Sequence, residues 1–459
     1  MNSILVRFNM FLEFLQTPEG VLSAICLFFL LIALIAFRST RWLVLAMAIF
    51  ISAIAPPRAG HQTGYNYLPL FLTLSAIGRG VILALLAVMI LPVLQSHRAW
   101  RNRVFLLGTI FFFAFELIYS VRLMFAGDFI RGYLAIFSYL LIWIVIAWGL
   151  ARSIHSMDDL RNLLRSIAFA GIIYNIAVLV QYLANPGSVI INSRLAGISG
   201  NPQHAAAVLA ACIPASLYFM LQPTERKWWR IVVAANSALM LLFLLWTGSR
   251  TGALITLVAL AAMFRLRIGK FFLAAILMLI LVVLGLQFFG EDLSIAGRLM
   301  DTTDTRSAAW RRLLSDFTSN PILGVPVEEY SYSENSYLLA ASRTGVVGLL
   351  PLLAAVVLIL AAMLRANRAR RLLGPDAFLV QTVLAGLLSL GVGAFFEGYL
   401  AGVFSPMVLV IYIYLAALAF LIDYIENPMA CMAASPGLEV VYDDEGRAFI
   451  PVMQQAPAP

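Results

Sequence analysis

From Val21 to Ile422 the chain is a succession of apolar runs of roughly 17 to 25 residues, each long enough to cross about 30 Å of hydrocarbon as a helix. Lipid offers no partner to a backbone N–H or C=O, so a chain of this kind spans as α-helices or as a closed barrel. Uninterrupted apolar runs of this length are helical rather than alternating. Hydrophobic residues make up 62% of the chain and charged residues 12%, where a soluble domain carries about 25% charged residues. The expected fold is therefore all-α and polytopic, with spans near 21–37, 42–55, 70–94, 104–124, 132–150, 166–184, 204–221, 231–247, 252–264, 271–289, 340–364, 377–396 and 403–422.

This reading gives about twelve to thirteen transmembrane helices and five segments along the chain. Residues 1–20 form an interfacial N-terminal segment, 21–289 hold the first ten spans, and 290–339 form a polar loop region bearing short helices. Residues 340–422 hold the last spans, and the acidic, Pro-containing tail 423–459 is expected to be mostly disordered. The first run begins near Val21 without a small-residue cleavage site, so an uncleaved N-terminus is expected. Cys26, Cys212 and Cys431 are scattered and the four histidines lack ligand spacing, which points to neither a disulfide framework nor a metal centre.

Lys and Arg collect on the cytoplasmic side of membrane proteins, and here every other connection is basic. Arg38 and Arg41, Arg98 to Arg103, Arg152 to Arg165, Arg226 to Arg230, Arg265 to Lys270, and Arg365 to Arg371 fall on one side. His61, Arg194, Arg250 and the segment from Gly290 to Ser336 fall on the other. The net charge of +8 thus reflects orientation, and anionic lipid rather than nucleic acid is the partner it implies. Both lysines, Lys227 and Lys270, lie on the basic side, whereas the opposite face carries arginine alone, including Arg194, Arg250, Arg306 and Arg343. Arginine's planar fork suits phosphate oxygens, although a general preference for arginine accounts for the pattern equally well.

Three breaks on that face repeat one device. Arg194-Leu-Ala-Gly-Ile-Ser-Gly-Asn-Pro202 ends in an N-cap and a first-turn proline, Thr247-Gly-Ser-Arg-Thr-Gly252 separates two spans, and Ser333-Glu-Asn-Ser336 precedes another. Each aims a helix N-terminus outward. Flanked by Arg194, Arg250 and Arg343, three such termini would hold an anion such as a diphosphate; the alternative is a set of turns whose arginines snorkel to headgroups.

Glu334 reads either as a proton acceptor for an attacking hydroxyl or as a loop acid paired with Arg343. The stretch Asp304 to Phe317, with Trp310, Leu313, Leu314 and Phe317 at helical spacing, reads as an amphipathic surface helix of structural role. Arg79, Glu116, Arg122 and Glu397 fall within apolar runs, where a charge costs about 2.5 to 3.5 kcal/mol on insertion scales, so each must face protein or water. Arg79 and Glu116 are expected to pair, and Arg122 to snorkel. His204 is read as a hydrogen-bonded neutral side chain and His61 as an outer-loop residue within reach of substrate.

The order Arg194 to Pro202, Ser249-Arg250, Arg306 through Trp310, Asn320-Pro-Ile-Leu-Gly324, Glu334-Asn-Ser-Tyr-Leu338 and Gly345-Val-Val-Gly348 resembles the bacterial O-antigen ligase and O-antigen polymerase family. The resemblance covers about the second half of the chain. It implies a GT-C-like helical fold in the bacterial inner membrane, with a periplasmic active face and metal-independent, inverting glycosyl transfer from undecaprenyl-diphosphate-linked glycans, without a cofactor. It further implies that Arg194 and Arg250 hold the leaving diphosphate and that Glu334 serves the acceptor. Asn335, Tyr337, Arg343, Arg79, Arg122 and His61 would contact substrate. The implied partners are lipid-linked donor and acceptor, membrane lipid, a flippase and a chain-length regulator. Ligases usually carry histidine where this chain has Glu334, which favours a polymerase of O-antigen or exopolysaccharide units. A ligase and a non-enzymatic transporter of the same lipid-linked substrates are the alternatives.

Overall fold

The computed structural model describes residues 41–54, 67–94, 103–126, 129–264, 306–326, 334–370, 373, 376–401, 405–426, 441–442 and 448–449. The expected spans 21–37 and 271–289, the N-terminal segment, and His61 lie outside them. Helices occupy the other apolar runs: α1 (Arg41–Ala53), α2 (Pro69–Leu94), α3 (Arg103–Phe125), α4 (Phe129–Ile142) and α5 (Met157–Ala184). They continue as α6 (Pro202–Leu221), α7 (Lys227–Thr247), α8 (Arg250–Phe264), α9 (Ser307–Ser319), α10 (Ser336–Ala369), α11 (Ala377–Gly393) and α12 (Pro406–Glu426). Past α4 the chain runs on through a wider π-turn stretch, Trp143–Leu150, to Ser153. Among the described residues seven helices are long and apolar enough to cross a membrane, and α1, α8 and α11 are shorter apolar helices. The protein is thus an all-α, multi-pass membrane protein.

The apolar faces sort into protein and lipid. In α12 every residue from Met407 to Ile422 is buried, so a helix that is apolar all round sits at the centre of the bundle. In α10, Val346, Leu350, Leu353, Val357, Leu360 and Leu364 are all exposed and recur every three or four residues, one continuous stripe of a helix. Aliphatic exposure on this scale is a lipid contact in a chain so poor in charge.

At one end of the bundle the basic connections are tied together. Arg161 on α5 bonds Asp376 before α11 at 2.7 Å, Arg165 bonds Glu225 between α6 and α7 at 2.5 Å, and Arg365 on α10 lies 4.0 Å from Glu426 on α12. Arg194, Thr247 and Glu334 lie at or beyond the opposite ends of α5, α7 and α10, and Arg250 opens α8 three residues after Thr247. In the tail, α12 runs on to Glu426 and Val441–Tyr442 pairs with Ala448–Phe449. The tail's other residues lie outside those described, and with them most of the stretch expected to be disordered.

Glu116, on α3, is buried and accepts a hydrogen bond from Tyr412 Oη of α12 at 2.6 Å. Its expected partner, Arg79, lies on α2 with its side chain outside the described set. Arg122 is half-buried and turned to the backbone: Nη2 donates to Gly324 O at 2.9 Å and Nε to Arg343 O at 3.3 Å. The reason lies in α10, which breaks at Gly345 (φ 60°). The opened backbone groups are met by the preceding loop, Val325 N donating to Ser342 O at 2.8 Å and Val346 N to Pro321 O at 2.8 Å. A Cβ on Gly345 would lie 2.2 Å from Ile322 O, so the Asn320-Pro-Ile-Leu-Gly324 motif packs directly into the break.

Candidate functional site

Three loop elements meet at the end of the bundle opposite the basic connections. Arg194 stands in a two-residue antiparallel hairpin in which Ile191 pairs with Arg194 and Ile190 with Leu195. Asn192 and Ser193 take the two left-handed turn positions, which polar residues of this type tolerate. The hairpin directs Arg194 to the end of α7, where Nε donates to Thr247 O at 2.6 Å. Gly248 then turns the chain in the left-handed region (φ 57°), and its N–H donates a C-cap bond to Leu245 O. Two residues later Arg250 opens α8, so Arg194 and Arg250 flank one turn.

Two of the three helix starts, those of α6 and α8, approach each other. Gly252 on the first turn of α8 packs against Ala206 near the start of α6, where a Cβ would sit 2.6 Å from the Ala206 Cβ. Side-chain caps meet some of the first N–H groups. Asn201 Oδ1 accepts from Gln203 N at 2.8 Å, Ser249 Oγ from Gly252 N at 3.2 Å, and Asn335 Oδ1 from Tyr337 N and Leu338 N at 2.9 Å each.

Glu334 lies just before α10. Its backbone carbonyl accepts from Trp310 Nε1 at 3.4 Å, and its Oε2 is buried without a hydrogen-bond partner among the described residues. The alternative pairing with Arg343 is not made. Arg343 is buried, donates through Nη1 to Pro326 O at 2.6 Å and lies 4.0 Å from Asp316. Arg122 and Arg343 thus clamp the loop against the α10 break.

Asn335 caps α10, and Tyr337 donates its hydroxyl to Gly391 O at 3.3 Å and packs on Phe395 with ring centres 4.4 Å apart. These hydrogen bonds of Arg122, Arg343, Asn335 and Tyr337 are internal to the fold. Arg79 has no described side chain and His61 is not described, so neither is located at the site. His204 is exposed on the first turn of α6.

One acid proves to stand elsewhere than expected. Glu397 is not within a span but in the connection between α11 and α12, after Gly393 and before the short turn Tyr399–Ala401. It is buried, and Arg306 Nη2 reaches its Oε1 at 3.2 Å while also donating to Thr251 Oγ1 at 2.7 Å. Burial pushes the Glu397 carboxyl up to about 7; Arg306 and the Thr251 hydroxyl draw it down, and nearby Glu334 raises it. Sequence reasoning placed α9 as a surface helix and missed that the residue opening it, Arg306, reaches this acid. The available signal was Glu397 itself, a carboxylate in an apolar stretch that had to find a partner.

The site therefore assembles two arginines on one turn, two carboxylates near each other, and a third arginine joining α8 to the α11–α12 connection. Such a set can hold a polyanion and accept a proton beside it. No known protein-family model matches this chain, and no curated protein is detectably similar to it in sequence.

Proposed function

We propose that the protein is a membrane glycosyltransferase, a polymerase of undecaprenyl-diphosphate-linked oligosaccharide units for O-antigen or exopolysaccharide. It would work at the periplasmic face of a bacterial inner membrane in a GT-C-like bundle of twelve to thirteen spans. The observation that carries the reading is the placement of Glu334 at the same end as Arg194 and Arg250, with one carboxylate oxygen buried and uncommitted. A buried unsatisfied oxygen calls for a role, and accepting a proton supplies one.

In the proposed reaction Arg194 and Arg250 hold the diphosphate of the growing lipid-linked chain. A hydroxyl of the incoming unit gives its proton to Glu334, and its oxygen attacks the anomeric carbon from the face opposite the diphosphate. The anomeric carbon–oxygen bond breaks, and its electron pair leaves with the lipid diphosphate, where the guanidinium charges stabilise it. The anomeric configuration inverts.

Membrane vesicles supplied with labelled lipid-linked repeats test these roles. Glu334→Gln retains donor and forms no polymer; polymer of wild-type length in that variant removes the base assignment. Label arriving on a lipid A core acceptor in place of a ladder means a ligase, and label that only crosses the membrane means a transporter.

A further inference from the structure

Arg306 joins three parts of the chain that are remote in sequence. Its Nη2 donates to Thr251 Oγ1 at 2.7 Å and to Glu397 Oε1 at 3.2 Å, and its guanidinium lies 5.6 Å from the centre of the Phe396 ring. Thr251 directly follows Arg250. Glu397, through its backbone carbonyl, accepts from Ser336 Oγ at 2.6 Å, two residues beyond Glu334. One turn into α9, Trp310 packs on Phe396 with ring centres 6.2 Å apart and donates to Glu334 O at 3.4 Å. The residue beside Arg250 and the residues around Glu334 are thus tied to the same ion pair.

We infer that Arg306, Thr251 and Glu397 form a clasp of positioning residues, which fixes the leaving-group arginine Arg250 relative to the proton acceptor Glu334. The inference rests on the reading given under Proposed function and deepens it. Thr251 and Glu397 are 3% and 8% exposed, so neither can exchange its Arg306 contact for water. With the clasp broken, Glu397 is a buried acid without its cation, and α8 loses its tie to the α11–α12 connection. The cost falls on alignment of the reacting groups, since a displacement of about 1 Å can lower a rate roughly a hundred-fold.

The clasp closes when Glu397 is ionised. The groups facing that carboxylate are Arg306 before α9, Thr251 on α8, Glu334 before α10 and the hydroxyl-bearing Tyr399 in its own connection. Its carboxyl titrates at about 7, so the clasp is open in acid and closes as pH rises through that value.

Purified full-length protein in detergent, assayed with labelled lipid-linked repeats across pH, tests this. Wild-type kcat rises through a limb near pH 7. Glu397→Gln removes that limb and lowers kcat about ten- to a hundred-fold, with KM for the donor changed by no more than about two-fold. The exchanged pair Arg306→Glu with Glu397→Arg recovers part of the lost kcat. An unchanged pH profile and kcat in Glu397→Gln overturns the clasp.

Wild-type protein that makes no product defeats the glycosyl-transfer reading instead. The clasp is then decided by Trp310 emission, isolated by subtracting the spectrum of Trp310→Phe. A titration near pH 7 that Glu397→Gln abolishes supports it, and emission flat across pH overturns it.

Discussion

Glu116 shows what one charged residue weighs inside this bundle. It is 1% exposed; Oε2 is bonded to Tyr412, and Oε1 has no hydrogen-bond partner among the described residues. Tyr412→Phe removes that bond and leaves a second buried oxygen unsatisfied, which lowers stability by about 1–3 kcal/mol. Thermal unfolding in detergent measures this as a clear drop in Tm, and an unchanged Tm would show that the bond carries no weight. Sequence reasoning singled out Glu116 because a carboxylate in an apolar run needs a partner, but Tyr412 stands 296 residues away and nothing local marks it. Glu397 was visible for the same reason and misplaced for the same reason, its true partner Arg306 being remote in the chain. At the site, Arg250→Lys keeps the charge and loses the planar fork, so polymer formation falls by an order of magnitude or more while the protein folds normally. Chain growth at the wild-type rate would exclude Arg250 from holding the leaving group.

Among the elements, α10 has the most unusual construction, and its unusual part was only half legible. The Asn335 cap and the apolar run behind it were readable, since Asn before a helix and a long apolar segment each have a local physical cause. The break at Gly345 was not, because its reason is the chain at 320–324 packed against it. Gly345→Ala adds a Cβ 2.2 Å from Ile322 O at φ 60° and forces the loop out of the break. The expected result is a variant destabilised by more than about 1 kcal/mol, with protease cleavage newly appearing in 320–326. A Tm and digest equal to the wild type would show that the loop is not locked there. Asn335→Ala, which removes one acceptor serving two N–H groups, lowers stability by about 0.5–2 kcal/mol. The caps of these helix starts were legible as residue types, Asn201, Ser249 and Asn335, but which N–H each one meets was not, because capping geometry depends on rotamers that sequence does not fix.

For the whole molecule, the alternation of basic and non-basic connections gives the expectation that the basic loops share an end. The ion pairs Arg161–Asp376, Arg165–Glu225 and Arg365–Glu426 gather at one pole, and Arg194, Arg306, Glu334 and Glu397 belong to the other. Long apolar runs made the multi-pass helical class readable, because lipid leaves the backbone no other arrangement for segments of this kind. How those helices pack was not readable, since lipid-facing and centre-facing helices are equally apolar. It took the burial of α12 and the exposed stripe of α10 to tell them apart. Under the proposed function, charge gathered at the two poles and scarce between them among the described residues suits chemistry at a membrane surface better than a path across it. The most direct measurement is reconstitution of the purified protein with synthetic undecaprenyl-diphosphate-linked repeats and no other protein. The account predicts a ladder of lengthening glycans from the wild type and none from Arg250→Lys or Glu334→Gln; correctly folded wild-type protein that lengthens no glycan would contradict it.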